Sequence, residues 1–298
     1  MKRPPSAVLR PFVALLWSQP PGAMRPGPTP GEHVLPTGMM HLAIRLGGPP
    51  LRLLDPDGAV REPGPAVVAG ARDRHYAKQA VAGAPSVGAV LRPGAARALF
   101  GPSAGELAGR HVALDDLLGA HAARLHERLL EEPDPRRQLE LLEAFLAARL
   151  PRARGLHPAV AGALAGFAAG ADIGRVVARS GYSHRHLGAL FVDAVGLTPQ
   201  RFRRVRRFQL ALDLHWRDPS LAWARVAHEA GYADQAHFVR EFRGFTGVRP
   251  QDYRRAAPVD RNHLPLHHGW GKQRSIPFKT CAPAAVTFGD TSTPEPPQ

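Results

Sequence analysis

Hydrophobic residues change period along the chain. Over residues 1–102 they come in short runs: Val13–Trp17, His33–Leu35, Met40–Leu46, Ala66–Ala69, Tyr76–Val81 and Val87–Leu91. Breakers such as Pro20-Pro21-Gly22, Gly47-Gly48-Pro49-Pro50 and Asp55-Pro56-Asp57-Gly58 separate them. Runs of this length between turn residues predict strands, and their spacing predicts a small β-barrel or sandwich-like domain. From residue 103 the period becomes helical. Leu114, Leu117 and Leu118 precede Leu125, Leu129 and Leu130, and then Leu139, Leu142, Phe145, Leu146 and Leu150. Pro133-Asp134-Pro135 parts the last two groups, with Asp134 as N-cap and Pro135 at the first helical position. Residues 103–155 thus predict a helical connector, ending in the basic stretch Pro151–Gly155. Leucine stripes of this kind either pair two protomers or pack on their own domain, which is their commoner use.

Between Asp172 and Arg255 one pattern occurs twice. The first copy runs from Arg175 through Gly181, Tyr182 and Ser183 to Leu187, Phe191, Gly196, Leu197 and Pro199. The second runs from Arg225 through Gly231, Tyr232 and Ala233 to Phe238, Phe242, Gly247, Val248 and Pro250. The turn glycines lie 50 residues apart and the later landmarks 51, so the second copy has one extra residue after its turn. Each copy reads as a short amphipathic helix stopped by Gly, an aromatic, an N-cap (Ser183 or Asp234) and a second helix. Leu187, Leu190, Phe191 and Val195 make one buried face; Phe238, Phe242 and Phe245 repeat it. Thr198-Pro199 caps a long joining helix to about Trp216, with Phe202, Val205, Phe208 or Gln209, and Leu212 inward. His157-Pro158 opens a further helix that runs through Phe167.

These paired motifs resemble the DNA-binding module of AraC/XylS-type transcriptional regulators over about 85 residues. The likeness is strongest in Gly231-Tyr-Ala-Asp-Gln-Ala-His-Phe-Val-Arg-Glu-Phe242 with Gly247-Val-Arg-Pro250. Glu32-His-Val-Leu-Pro36 and the stretch Leu91–Gly101 resemble the uncharacterised β-rich domain that precedes this module in some family members. The expected fold is α+β. A β-rich sensor domain (1–102) and a helical connector with a dimerisation option (103–155) precede the DNA-binding domain. That domain (156–256) is all-α, with two helix-turn-helix units on one long helix, and a disordered tail (257–298) follows it. Gly181, Tyr182, Leu187, Phe191, Pro199, Gly231, Tyr232, Phe238, Phe242 and Pro250 are expected to form the structural core of the motifs.

A helix fits the major groove, and two such helices on one rigid module reach successive grooves about 34 Å apart. Gln235 and Arg240 stand on the outward face of the second recognition helix, where Gln suits adenine and Arg suits guanine. The resemblance places base contacts at Ala236 and Arg240, and in the first copy at Arg185, Gly188 and Ala189. Gly188 and Ala189 offer no hydrogen bond, so base reading there falls to Arg185. Backbone contacts are expected from Ser183, His184, Arg201, Arg204, Arg207, His237 and Arg243, within a wider group that includes Arg203, Arg206, Arg254 and Arg255.

Charge agrees with a polyanionic partner. The 298-residue chain carries +14, and residues 172–255 hold 15 Arg against 8 acidic residues. The single cysteine, Cys281, excludes an intrachain disulfide and suits a reducing compartment, the cytoplasm, with nucleoid association on DNA. Arg10 and Pro11 interrupt the apolar N-terminus, arguing against a signal peptide, and no apolar run is long enough for a membrane helix. His33, His41 and His75, and likewise His263, His267 and His268 with Cys281, lack a metal-ligand spacing, so no metal or cofactor is expected. Some relatives join this module to an alkyl-transfer repair protein, but the only cysteine here lies in the tail. No Gly-x-Ser-x-Gly elbow, Walker loop or His-Glu-x-x-His pair suggests an enzyme. The expected partners are double-stranded DNA, RNA polymerase if the protein activates, a small-molecule effector in residues 1–102, and a second protomer as an option. The alternative is a basic, low-specificity DNA-binding or protein-interaction module on the same fold.

Overall fold

A computed structural model describes residues 1–20, 31–55, 59–79, 84–150 and 155–265. The expected turn residues 21–22 and 56–58, strand end 80–81, connector 151–154 and tail 266–298, with His267, His268 and Cys281, lie outside the described residues.

The N-terminal third forms β1 (Lys2–Arg3), β2 (Val13–Gln19), β3 (Gly31–Val34), β4 (Met40–Arg45), β5 (Leu53–Leu54), β6 (Val60–Arg61), β7 (Ala66–Ala69), β8 (Tyr76–Gln79) and β9 (Ser86–Leu91). Strand β4 shows why: Met40, Leu42 and Ile44 are buried while the residues between them are half-buried, the period-two signature of a strand. After β9 come α1 (Ala95–Phe100), α2 (Ala104–Leu107), β10 (His111–Ala113), α3 (Leu114–Leu118), α4 (Ala120–Glu131) and α5 (Pro135–Ala148). The C-terminal helices are α6 (Pro158–Ala168), α7 (Ile173–Ser180), α8 (His184–Val195), α9 (Pro199–Arg217), α10 (Trp223–Glu229), α11 (Gln235–Thr246) and α12 (Pro250–Ala256), followed by β11 (His263–Pro265).

The strands make two antiparallel sheets, β1-β2-β9-β4-β7-β10 and β11-β3-β8-β5-β6. Among the described residues each sheet is open at both ends of its strand order, so the domain is not a closed barrel. Three expectations need correcting. Residues 95–100, in the stretch expected to be strands, are helix α1, which buries Ala95, Ala96, Leu99 and Phe100. The expected helical connector contains β10, whose His111–Ala113 pairs with β7, so this stretch completes the first sheet. The third concerns the expected disordered tail. Its residues 263–265 form β11, pairing His263 with Val34 and Leu264 with His33 of β3. Leu264 is fully buried. Its partner strand lies some 230 residues upstream, which local composition cannot reveal.

The leucine stripes pack within the protomer. Leu125, Leu129, Leu139, Leu142 and Leu146 are buried, and α5 lies against β2 and β9. Leu130 alone among the stripe leucines is more than half exposed.

The β-rich region also grips the C-terminal helices. Gln209 of α9 donates to the Pro36 carbonyl at 2.8 Å and to Asn262 Oδ1 at 2.9 Å. The rings of His33 and His75 pack 4.1 Å apart, tilted by 34°, at the end of α11. Their Nδ1–H groups donate to the carbonyls of Thr246 (2.9 Å) and Phe245 (3.1 Å), which the helix itself leaves without partners. Glu32 binds Lys78 at 2.8 Å and His263 at 3.1 Å, fastening β11. Burial alone would raise the Glu32 carboxyl, but His263 and Lys78 outweigh it and hold it at about 2. At the other end, Arg97 pairs with Asp193 at 2.6 Å, and the Gly94 amide donates to the Ala194 carbonyl at 2.8 Å.

Two tests follow from this packing. Leu142→Ala should lower unfolding free energy by about 2–5 kcal/mol, whereas Leu130→Ala should change it by well under 1 kcal/mol, as read from urea melts. If the stripes served mainly to pair protomers, the two variants would instead differ in dissociation. The second test uses pH. Burial, with the neighbouring His33, depresses His75 from 6.5 to about 4. Between those values the unfolded chain binds a proton that the fold refuses, so stability should fall as pH drops from 6.5 to 4. His75→Gln, which keeps an N–H donor but does not titrate, should make that fall shallower by about one proton's worth of slope.

Candidate nucleic-acid interface

Local sequence dictates both helix-turn-helix units. In the first, Asp172 caps α7 by accepting from the Arg175 amide, and Gly181 closes it at φ 72°, in the left-handed region. Ser183 caps α8 by accepting from the His186 amide. In the second, Gly231 takes φ 77° after α10, and Asp234 accepts from the His237 amide at 2.6 Å to start α11. The two recognition helices are each 12 residues long, and both end at a left-handed glycine, Gly196 and Gly247.

Helix α9 seats both units. Thr198 caps it by accepting from the Arg201 amide, and Pro199 holds its first position. Its 19 residues give a rod of about 28 Å. Phe202 meets Phe191 of the first unit at 5.5 Å, and Phe208 meets Phe242 and Phe245 of the second at 5.6 and 4.6 Å. Val205, Gln209 and Leu212 complete the buried stripe.

With these faces buried, the candidate base readers Arg185, Gln235, Ala236 and Arg240 are all exposed. Ser183, His184 and Arg243 are exposed as well. Four candidate phosphate contacts are instead engaged by acidic side chains, although Arg201 and Arg204 stay more than half exposed. Glu241, only 9% exposed, takes Arg204 Nε at 2.6 Å and Arg207 Nη2 at 2.9 Å, with His237 Nε2 at 3.7 Å. The Arg207 guanidinium also lies 4.4 Å from the centre of the Tyr232 ring, a cation–π contact. Burial pushes the Glu241 carboxyl up, but the two guanidiniums prevail and hold it below its ordinary range. Arg201 reaches Asp73 of the β-rich region at 3.4 Å.

Of the expected motif core, Gly181 and Gly231 serve as turn glycines, while Leu187, Phe191, Pro199, Tyr232, Phe238, Phe242 and Pro250 are buried. Tyr182 is not: the residue is 39% exposed, its ring stacked on His186 at 4.8 Å and set edgewise to His157 at 5.8 Å. Its counterpart Tyr232 is packed by Phe238 and Arg207. In the first unit none of these contacts covers the ring.

Glu241, Trp223 and the His33–His75 pair carry no sequence expectation as site residues. Glu241 had a readable signal, since it stands three residues after Phe238 and four before Phe245, an acid on an apolar stripe. Trp223 packs on His215 at 4.4 Å and on Phe238 at 5.7 Å, forming the floor of the second unit. Among the described residues no cluster of three or more His, Cys, Asp or Glu side chains is placed to hold a metal ion. No described helix is long and apolar enough to cross a membrane.

Replacing Glu241 with Ala leaves two guanidiniums without their carboxylate. We expect a loss of about 2–3 kcal/mol in urea melts at neutral pH. The depressed carboxyl contributes stability above its unfolded pKa and loses it as pH falls through its folded one, so the gap between the two proteins should close in acid.

Comparison with known proteins agrees with this geometry. Residues 176–256 match a family model described as a helix-turn-helix domain, and residues 1–113 match a domain of unknown function, DUF6597. Two uncharacterized HTH-type transcriptional regulators of Staphylococcus aureus, strains MSSA476 and MRSA252, are each 30% identical over 98 residues. That match covers 32% of this chain and 13% of theirs, so the chain spans only a small part of those relatives. Among solved structures, ToxT from Vibrio cholerae aligns over 80% of this chain and 96% of its own, at 10% identity and a TM-score of 0.45. ToxT with bound unsaturated fatty acid aligns over 80% and 93%, at 9% identity and a TM-score of 0.44. With the paired motifs, their caps and the joining helix all in place, residues 176–256 form a helix-turn-helix domain, carried behind a region that matches DUF6597.

Proposed function

We propose that the protein is a sequence-specific DNA-binding transcriptional regulator that reads two successive major-groove segments with α8 and α11. The observation that carries this reading is the pairing of buried and exposed faces. Phe191, Phe238 and Phe242 anchor the two helices inward, leaving Arg185, Gln235, Ala236 and Arg240 exposed. Arg240 is suited to guanine and Gln235 to adenine, through bidentate hydrogen bonds in the major groove. Ala236 supplies at most a methyl contact to thymine. In the first unit Arg185 is the one exposed side chain of the three expected base positions that can hydrogen-bond a base.

Phosphate contact falls to exposed groups such as Ser183, His184 and Arg206. Arg204 and Arg207 instead position α11 through Glu241, so they act on DNA binding through the helix they hold. In the cell the protein would work in the cytoplasm on the nucleoid, with RNA polymerase as its partner at activated promoters. An effector of the β-rich domain would act by shifting the population of DNA-competent states.

Selection of bound fragments from genomic DNA, with random duplex as competitor at fixed salt, tests the reading. A recurrent motif of two blocks is expected; uniform recovery would instead favour a low-specificity binder. On the selected duplex, Arg240→Ala should cost about 1–3 kcal/mol and relax preference at one base pair. Equal weakening on every sequence would make Arg240 a phosphate contact.

A further inference from the structure

Gly188 has no part in base reading that its side chain could supply, and in a helix interior it costs about 1 kcal/mol against Ala. Packing does not explain it. A methyl group built there would meet no heavy atom within 4 Å, so no neighbour requires the glycine. Gly188 and Ala189 instead border an open cleft of about 640 Å³ that recognition helix α8 shares with helix α2 of the N-terminal part, with α7 and with the start of α9. The two helices touch at one end, where a methyl on Gly105 would lie 3.2 Å from Val192 Cγ1 and 3.2 Å from the Val192 carbonyl. Gly188 lines the same cleft and adds no side chain to fill it.

We propose that this cavity is a binding site for a small, mostly apolar molecule that is uncharged or cationic. Volume, walls and charge support the assignment. Ligand sites fall in the range of about 300–1,000 Å³, favour domain interfaces, and combine apolar walls with a few polar groups. Here Ile173, Val177, Leu187 and Val192 supply apolar wall, and Ser103 and Thr198 lie at its edge. The charged side chains at the rim are Glu106 and Asp193, with Arg97 paired to Asp193 at 2.6 Å. Two carboxylates against one guanidinium leave a net negative rim, which disfavours an anion. Hydrogen bonds from Ser103, with Arg97 nearby, hold the Glu106 carboxyl below its ordinary range and therefore ionised.

The site lies on the face that α8 would turn to DNA. Its wall includes His184, Gly188 and Ala189, two of which are the expected readout positions. A bound molecule would therefore exclude a duplex from the first unit while leaving α11 untouched. This consequence rests on the proposed regulatory function; the binding site itself does not.

Fluorescence titration of the full chain with N-phenylnaphthylamine, an uncharged aromatic amine, tests the site against its sulfonated analogue anilinonaphthalenesulfonate. The uncharged probe should bind at least about tenfold more tightly than the anionic one. Gly188→Leu, which fills open space with a better helix former, should abolish that binding, whereas Ala224→Leu on an exposed turn of α10 should not. Binding that survives Gly188→Leu, or equal affinity for the sulfonate, would overturn the proposal. In a separate arm the selected duplex is added to the probe complex. Release of the probe supports exclusion, and undiminished fluorescence with the duplex bound ends it. If no duplex binds at all, the regulator reading fails while the first two arms still decide the site.

Discussion

Phe202 and Phe208 stand six residues apart on one continuous helix and plug two separate aromatic clusters, so about 9 Å of α-helical rise fixes one helix-turn-helix unit against the other. One residue more between them would rotate the second ring by about 100° and pull it from Phe242 and Phe245. The β-rich region grips the same rod. Gln209 is hydrogen-bonded to Pro36, and Gly38 approaches Val205 so closely that a methyl there would sit 3.3 Å from its Cγ1. Helix α9 is therefore a shared core element of three packing units. Displacing the β-rich region must act on the rod that carries both recognition helices.

That arrangement changes what the arginine surplus means. Arg204 and Arg207 are bound to Glu241, Arg201 to Asp73, and Arg254 donates to the Leu221 carbonyl at 2.6 Å while covering Trp223 at 4.8 Å. These cations brace the module. Since each neutralised phosphate contributes about −0.9 to the salt slope of duplex binding, a slope taken from the residue count would be too steep. Arg185, Arg206 and Arg240 are exposed and take part in none of these contacts, so they would set more of it.

The same distinction separates what was legible in the sequence from what was not. Caps and turn glycines are local chemistry, and Asp134, Ser183, Thr198, Asp234, Gly181 and Gly231 take the positions their residue types require. The stripe of α9 is a periodic signal and survives intact. Long-range pairing leaves no such mark. Strand β11 is three residues whose hydrogen bonds come from β3, and β10 is three more that lean on β7. Tyr182 and Tyr232 share a motif position and differ in burial because Phe238 and Arg207 pack the second. In the candidate interface, exposure of the candidate base readers followed from helix period, whereas the capture of Arg204, Arg207 and His237 depended on a buried acid 34 to 37 residues beyond the two arginines.

The two units are consequently unlike beneath a shared motif. The second has a dense aromatic floor of Trp223, Phe238, Phe242 and Tyr253, a buried carboxylate with two arginines, and the candidate readers Gln235 and Arg240 with hydrogen-bonding side chains. A histidine pair caps its recognition helix from the β-rich domain. The first has smaller side chains at two of its three expected reading positions and an exposed tyrosine at its turn. Helix α2 leans on its outer face across an open cavity. A tightly packed, well-furnished helix suits steady recognition of one block of a site. A loosely covered one, touching the N-terminal part along the side that would enter the groove, suits a unit whose contribution depends on where α2 sits. Variation in DNA affinity should therefore originate in the first unit, because α11 is held at its far end by the half-buried rings of His33 and His75, which donate to its last carbonyls.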